Sequence, residues 1–160
     1  MSSLKIRKAE IGDAPAIFKV ILSNTYNGQV MMVTLKAIIE NMDEFLVGMM
    51  DKTIVACGAL HFHYKNFFEI CSISVLEEYK HKGIGSEITR LLIKKTSPDE
   101  FVFLATDKPE FYAQFNFSEI KRRRLPPRIW IHKIGNFLDQ SIKNWPKILL
   151  KKFTFMRIFI

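Results

Sequence analysis

Apolar and polar positions along this 160-residue chain recur with two different periods, and the changes of period mark its elements. Leu4 to Lys8 alternates by twos and predicts a half-buried strand. Asp13 can cap a helix running to about Ser23, with Pro15 in its first turn and Ile17, Ile21 and Leu22 on one face. Asn24 to Val33 holds an Asn-Gly pair and two methionines and reads as a loop. Thr34 can cap a second helix to about Met42, with Leu35, Ile38 and Ile39 as its stripe. Glu44 to Met50 and Thr53 to Tyr64 are predicted strands joined by an Asp51-Lys52 turn. Asn66 marks another turn before a strand ending at Val75. The helical period returns with Ile84, Ile88, Leu91 and Leu92. A strand over Phe101–Ala105, a short helix from Pro109 to about Phe115 and a strand over Phe117–Ile120 follow. The order β-α-α-β-β-β-α-β-α-β predicts an α/β (α+β) domain whose mixed sheet is flanked by helices.

The densest chemistry lies where the strand ending at Val75 turns into the helix opening at Ile84. That turn reads Lys80-His81-Lys82-Gly83-Ile84-Gly85-Ser86. Gly83 and Gly85 let backbone approach a ligand without a Cβ in the way. The first helical turn carries N–H groups with no partner in the helix, and the macrodipole adds partial positive charge there. Lys80, Lys82 and His81 supplement that field, so the segment is suited to a pyrophosphate.

This loop is similar to the (Gln/Arg)-x-x-Gly-x-(Gly/Ala) acetyl-CoA loop of the GNAT acetyltransferase superfamily. Val75 and Glu78-Tyr79 also stand where that family often has Val and Pro-Glu-Tyr. A second motif, Phe111-Tyr112-Ala113-Gln114-Phe115-Asn116-Phe117, resembles the family's Phe-Tyr-x-x-x-Gly-Phe segment, with Asn116 where Gly is usual. Asn is the next choice after Gly for a left-handed backbone. The resemblance covers roughly residues 4–130 and implies a sheet splayed after the fourth strand. It also implies acetyl-CoA as co-substrate, with contacts from Lys80 through Ser86, from the backbone of Ile73, Ser74 and Val75, and from Thr106. Tyr112 is the implied acid for the departing thiolate. Glu69, on the strand entering the loop, is the candidate base, against the plainer reading of a solvent-facing strand-end charge. His61 and His63 share a strand face, and either can relay a proton through water. No Cys or carboxylate spacing completes a metal set with them, so no metal is expected.

A narrower resemblance concerns the acceptor. Thr106 to Phe117 followed by Leu125-Pro126-Pro127-Arg128-Ile129-Trp130 looks like the short amino-acid N-acetyltransferase (N-acetylglutamate synthase-like) group. It implies transfer to a primary amine of a small amino acid such as glutamate, by direct attack in a ternary complex, with Arg128 holding the acceptor's carboxylate. The Asp-Cys-x-x-Cys stretch that often closes that group is absent, and Ile131-His132-Lys133 follows Trp130 instead. The alternatives are acetylation of a protein N-terminus or lysine, and a CoA-binding interaction module without catalysis.

Charge sharpens the last quarter of the chain. Residues 1–120 carry 13 Lys and Arg against 15 Asp and Glu, whereas residues 121–160 carry 11 against Asp139 alone. Such asymmetry suits an anionic partner, and Lys121-Arg122-Arg123-Arg124 is its densest run. The expected division is an acetyltransferase domain over 1–130 and a basic, apolar extension over 131–160. For the extension, a modest helix through Phe137, Leu138, Ile142 and Trp145 is expected. Its end reads as an element completing the core, an anchor on anionic lipid, or a strand exchanged in a homodimer; nucleic-acid docking is a further reading. Cys57 and Cys71 fall in predicted buried strands and are expected as free thiols. With no apolar signal core and no run of about 18 apolar residues, a cytoplasmic protein is expected.

Overall fold

The computed structural model describes residues 3–26, 33–127, 129 and 154–158. Its strands are β1 (Lys5–Lys8), β2 (Phe45–Met50), β3 (Thr53–Tyr64), β4 (Phe67–Val75), β5 (Phe101–Thr106), β6 (Phe117–Glu119) and β7 (Thr154–Ile158). Its helices are α1 (Ala14–Tyr26), α2 (Leu35–Glu40), α3 (Ile84–Ile93) and α4 (Pro109–Ala113). The sheet has the order β1-β2-β3-β4-β5-β7-β6. All pairs are antiparallel except β4 with β5.

Local expectations hold where the signal is local. Thr34 caps α2 by accepting the Ala37 N–H at 3.1 Å. Asp51 and Lys52 take positive φ, the geometry of a tight hairpin turn that matches strand twist. Asp13 is not the cap of α1. Its carboxylate accepts the Glu10 N–H at 2.8 Å and pairs with both guanidinium nitrogens of Arg7, closing a 3-10 turn before the helix. That pairing, first, holds the Asp13 carboxyl below its ordinary range. On α1 the buried stripe is Ala14, Ile17, Val20 and Ile21, so Val20 takes the place expected for Leu22. On α2 Ile38 is buried, while Leu35 and Ile39 are exposed.

The sheet divides two apolar layers. Leu46, Ala56, Ile70, Val102, Leu104, Met156 and Ile158 pack with Ile84, Ile88 and Leu92 of α3. Phe45, Val47, Cys57 and Ala59 pack on the opposite side with Ile17, Val20 and Ile21 of α1 and Ile38 of α2. Burial of these side chains at roughly 25 cal/mol per Å² drives the layering. Gly58 allows α3 to sit close, because a Cβ there would lie 2.5 Å from Ile73 Cδ1 and 2.7 Å from Ile88 Cγ2.

Residues 154–158 supply a further strand of the sheet. β7 lies between β5 and β6, pairing Phe103 with Arg157 and Ser118 with Arg157, so the sheet draws on both sides of residue 130. Met156 and Ile158 complete the α3 side of the core, which accounts for the apolar alternation there. The expected helix through Phe137 and Trp145, like Arg128, lies outside the described residues. Neither Cys57 nor Cys71 is in a disulfide, and burial, first, raises the Cys57 thiol above its ordinary range.

Candidate active site

β4 and β5 run parallel, yet only Phe67–Glu69 pair, with Phe101–Phe103. Beyond Glu69 the strands separate and leave a gap between Ile70–Val75 and Leu104–Thr106. A bulge accompanies the separation: Ser72 has φ 56°, and the β3 partners step from Cys71 opposite Ala59 to Ser74 opposite Cys57. The extra residue resets the alternation of β4. Ile70 and Ile73 therefore both face α3, where an unbroken strand would turn them to opposite sides.

The bulge also decides which backbone groups line the gap. Leu76 N–H donates to Val55 O at 2.9 Å, so by the two-residue alternation of the ladder the Ser74 amide also faces β3. Ile73 and Val75 turn their backbone toward the gap. Of the expected trio, Ser74 is thus displaced from backbone contact. Its hydroxyl is buried without a hydrogen-bond partner among the described residues. The Val75 carbonyl accepts from Asn24 Nδ2 at 3.0 Å, and the same Nδ2 donates to Val20 O, which ties the end of α1 to the rim of the gap. The sequence reading missed Asn24 because its partner is 51 residues away.

The glycine loop stands at the mouth of this gap. His81 and Gly83 have φ 61° and 78°, and Gly83 is the N-cap of α3 with no side chain bonded over the helix end. A Cβ on Gly83 would meet nothing within 4 Å, so its surface is open. His81 and Lys82 are exposed, and Lys82 Nζ donates to Glu78 O at 3.0 Å. Lys80 instead reaches Glu77 at 2.6 Å, a pairing that, first, lowers the Glu77 carboxyl below its ordinary range. Ile84 is buried in the core, which leaves its N–H, with those of Gly85 and Ser86, as what it can offer a phosphate.

The second motif is brought against the first. A Cβ on Gly85 would lie 3.9 Å from Phe111 Cζ and 3.6 Å from Val75 Cγ2, so α4 closes on the N-terminus of α3 across the gap. Asn116 has φ 66° and supplies the left-handed turn in place of Gly. Thr106, at the end of β5, is buried, and its hydroxyl accepts the Lys108 N–H at 2.9 Å to shape the entry to α4. Tyr112 packs edge-on against Phe111 and Phe117. Burial, first, then the charges of Cys71 and Asp107 raise its phenol above the ordinary range. The Cys71 effect places the phenol within electrostatic reach of β4. The phenol is thus held protonated at neutral pH.

Glu69 is not a solvent-facing charge. Its side chain is 8% exposed, and Oε2 lies 2.9 Å from Nε2 of His63, itself 6% exposed. His61 Nδ1 contacts Glu44 Oε2 at 2.7 Å. The register sets His61, Glu69, Phe103 and Arg157 side by side on β3, β4, β5 and β7. Directly paired residues share a face, so this row crosses the sheet on one side. Among the described residues no group of three or more His, Cys, Asp or Glu comes together to hold a metal ion.

The family model for the acetyltransferase (GNAT) family matches residues 17–117, which span the gap, the glycine loop and the Phe111–Phe117 motif. The chain belongs to the GNAT acetyltransferase family. It is an acetyl-CoA-dependent N-acetyltransferase, and the open helix end, the free strand edge and the facing tyrosine suit that co-substrate. An uncharacterized N-acetyltransferase of Chlorobaculum tepidum is 30% identical over 131 residues, covering 78% of this chain and 82% of its own. An amino-acid acetyltransferase of Mycobacterium tuberculosis is 30% identical over 157 residues, covering 90% of this chain and 88% of its own. Among solved structures, a protein of M. tuberculosis in complex with CoA and NLQ has TM-score 0.75 at 27% identity, covering 98% and 99% of the two chains. N-acetylglutamate synthase of Neisseria gonorrhoeae shares the fold, with TM-score 0.77 at 18% identity. It covers 99% of this chain, which spans 35% of that synthase. No helix among the described residues of the GNAT chain is long and apolar enough to cross a membrane.

Tyr112→Phe removes the donor and keeps the packing against Phe111 and Phe117. Turnover is expected to fall about 100-fold, the low end for loss of a general acid, with acetyl-CoA affinity nearly unchanged. Steady-state kinetics beside calorimetric binding checks both halves.

Proposed function

We propose that this enzyme acetylates the α-amino group of a small anionic amine, an amino acid such as glutamate. The observation that carries the reading is the registered row with Glu69 on β4 and Arg157 on β7. Two strand spacings separate them, about 10 Å at the backbone. Side chains reaching inward from that span suit an acceptor with an amine at one end and a carboxylate at the other. Arg157 lies with its guanidinium carbon 4.0 Å from the Phe101 ring centroid and its Nε buried. Burial, first, and the nearby charge of Arg124 hold its pKa below the ordinary range. The likeness to an amino-acid acetyltransferase over 90% of the chain supports the same reading. Arg128 is proposed as a second carboxylate contact, and its placement lies outside the described residues.

In this reading Glu69 takes a proton from the acceptor's ammonium, and the freed amine attacks the thioester carbonyl. The new C–N bond forms as the C–S bond breaks. Tyr112 gives its proton to the leaving thiolate, and the acylated nitrogen sheds its second proton to solvent; solvent then reprotonates Tyr112 and takes the proton held by Glu69. Holding both reactants in one ternary complex supplies the orientation that the uncatalysed encounter lacks.

The test is thiol release from acetyl-CoA across glutamate, other amino acids, polyamines and short peptides with free N-termini. Turnover on glutamate or a close relative, with Arg157→Ala raising its KM about 10- to 100-fold, is the expected result for a buried charge-assisted contact. Turnover on peptides alone would move the assignment to protein acetylation.

A further inference from the structure

Val75 ends β4 beyond the stretch that pairs with β5, so its outer edge borders the gap. It stands opposite Ala56, next to the bonded pair of Leu76 with Val55, and its own N–H and C=O therefore turn away from β3 into the gap. Asn24 Nδ2 donates to that carbonyl at 3.0 Å. The Asn24 carboxamide thus sits at the free edge of β4, where Val75 also meets the N-terminus of α3 at Gly85. Asn24 is 3% exposed and is held from behind. The same Nδ2 donates to Val20 O at 3.0 Å, with Ser23 Oγ at 3.3 Å sharing a donor. A carboxamide has two N–H donors and one carbonyl acceptor. The two main-chain carbonyls take the donors, which fixes the nitrogen end of the group. Oδ1 is left with no partner among the described residues.

We propose that Asn24 Oδ1 accepts an amide N–H from the pantetheine arm of acetyl-CoA, standing in for the Val75 carbonyl that its own nitrogen covers. The arm carries two secondary amides, so it can add to an open strand edge as a peptide would. Along the gap that edge offers the backbone of Ile73 and the N–H of Val75, and the next acceptor, Val75 O, is already engaged. A ligand N–H arriving there would give up water and gain nothing, a cost larger than the net worth of the bond itself. The carboxamide that covers the carbonyl supplies the missing oxygen. The inference rests on the arm lying along β4 and is independent of which amine receives the acetyl group. A buried asparagine tying a helix to a strand is ordinary in protein cores. This one caps a carbonyl on an unpaired edge, and the tie leaves an acceptor over.

The experiment compares wild type and Asn24→Leu by titration calorimetry. The ligands are CoA, its adenosine bisphosphate half, which lacks the arm, and two CoA analogues in which one or the other arm amide N–H is replaced by an ester oxygen. Leu has nearly the shape of Asn and keeps the Val75 carbonyl covered, but offers neither donor nor acceptor. In wild type one ester analogue is expected to bind about 3- to 10-fold weaker than CoA, the worth of one neutral hydrogen bond. In Asn24→Leu the affinity for CoA should fall by about that factor and its advantage over that analogue should vanish. The bisphosphate should bind both proteins alike. A purely structural role would weaken CoA and both analogues in equal proportion, and that result would overturn the inference. No loss with either analogue in wild type would also overturn it. In that event, CoA binding no tighter than the bisphosphate would trace the failure to the placement of the arm and not to Asn24. Should Asn24→Leu fail to fold, carbon NMR of the wild-type Asn24 carboxamide decides alone. Its carbonyl resonance should shift with CoA and stay in place with the bisphosphate, and equal shifts with both would sink the proposal.

Discussion

Gly83→Trp is expected to weaken acetyl-CoA binding by at least about 100-fold, a loss of about 2.7 kcal/mol. Two effects combine. Gly83 has φ 78°, where an L residue costs about 1–2 kcal/mol, so the loop shifts or strains to accept any side chain. The indole then fills the open space over the N-terminus of α3, where a Cβ alone meets nothing. Gly83→Asn separates the two effects, because Asn tolerates the backbone and adds little bulk; its affinity should stay within a few-fold of wild type. Titration calorimetry with CoA reads both variants. Unchanged affinity in the Trp variant would remove the loop from the phosphate site.

Glu69→Gln is expected to lower kcat by about 10²- to 10³-fold while leaving acetyl-CoA affinity nearly unchanged, the range for loss of a general base. The amide oxygen of Gln still accepts from His63 Nε2, so the variant keeps the contact and loses only basicity. Single-turnover kinetics would show the loss in the chemical step itself. An undiminished rate would mean the amine loses its proton to water and that Glu69 serves the sheet. Because the carboxylate sits where β4 and β5 stop pairing, either outcome also tests whether this opening is where the reaction occurs.

Much of the site is legible along the chain because two of its parts are continuous segments. The glycine loop is seven consecutive residues whose function needs backbone N–H groups, basic side chains and positive φ, all of which residue types announce. The Phe111–Phe117 segment is similar: Pro109 opens a helix, Asn116 ends the turn, and Tyr112 is carried between them. Glu69 could be named but not described. From the sequence it reads equally as a surface charge, since nothing local says that His63 folds over it. Asn24 and Arg157 were illegible for the same reason, one bonded to Val75 and the other set in register with Phe103 more than 50 residues away.

The sequence by itself determined the strand and helix periods, the glycine loop as the candidate phosphate site, the left-handed turn at Asn116 and the family these imply. Those features depend on residues within a few positions of one another, where side-chain type and backbone preference act directly. Only the tertiary structure decided that β7 enters between β5 and β6, that the bulge at Ser72 turns Ser74 away from the gap, and that His61, Glu69, Phe103 and Arg157 form one row. Strand order and register come from burying two apolar layers on one twisted sheet. That global balance is not written in any single stretch of the chain.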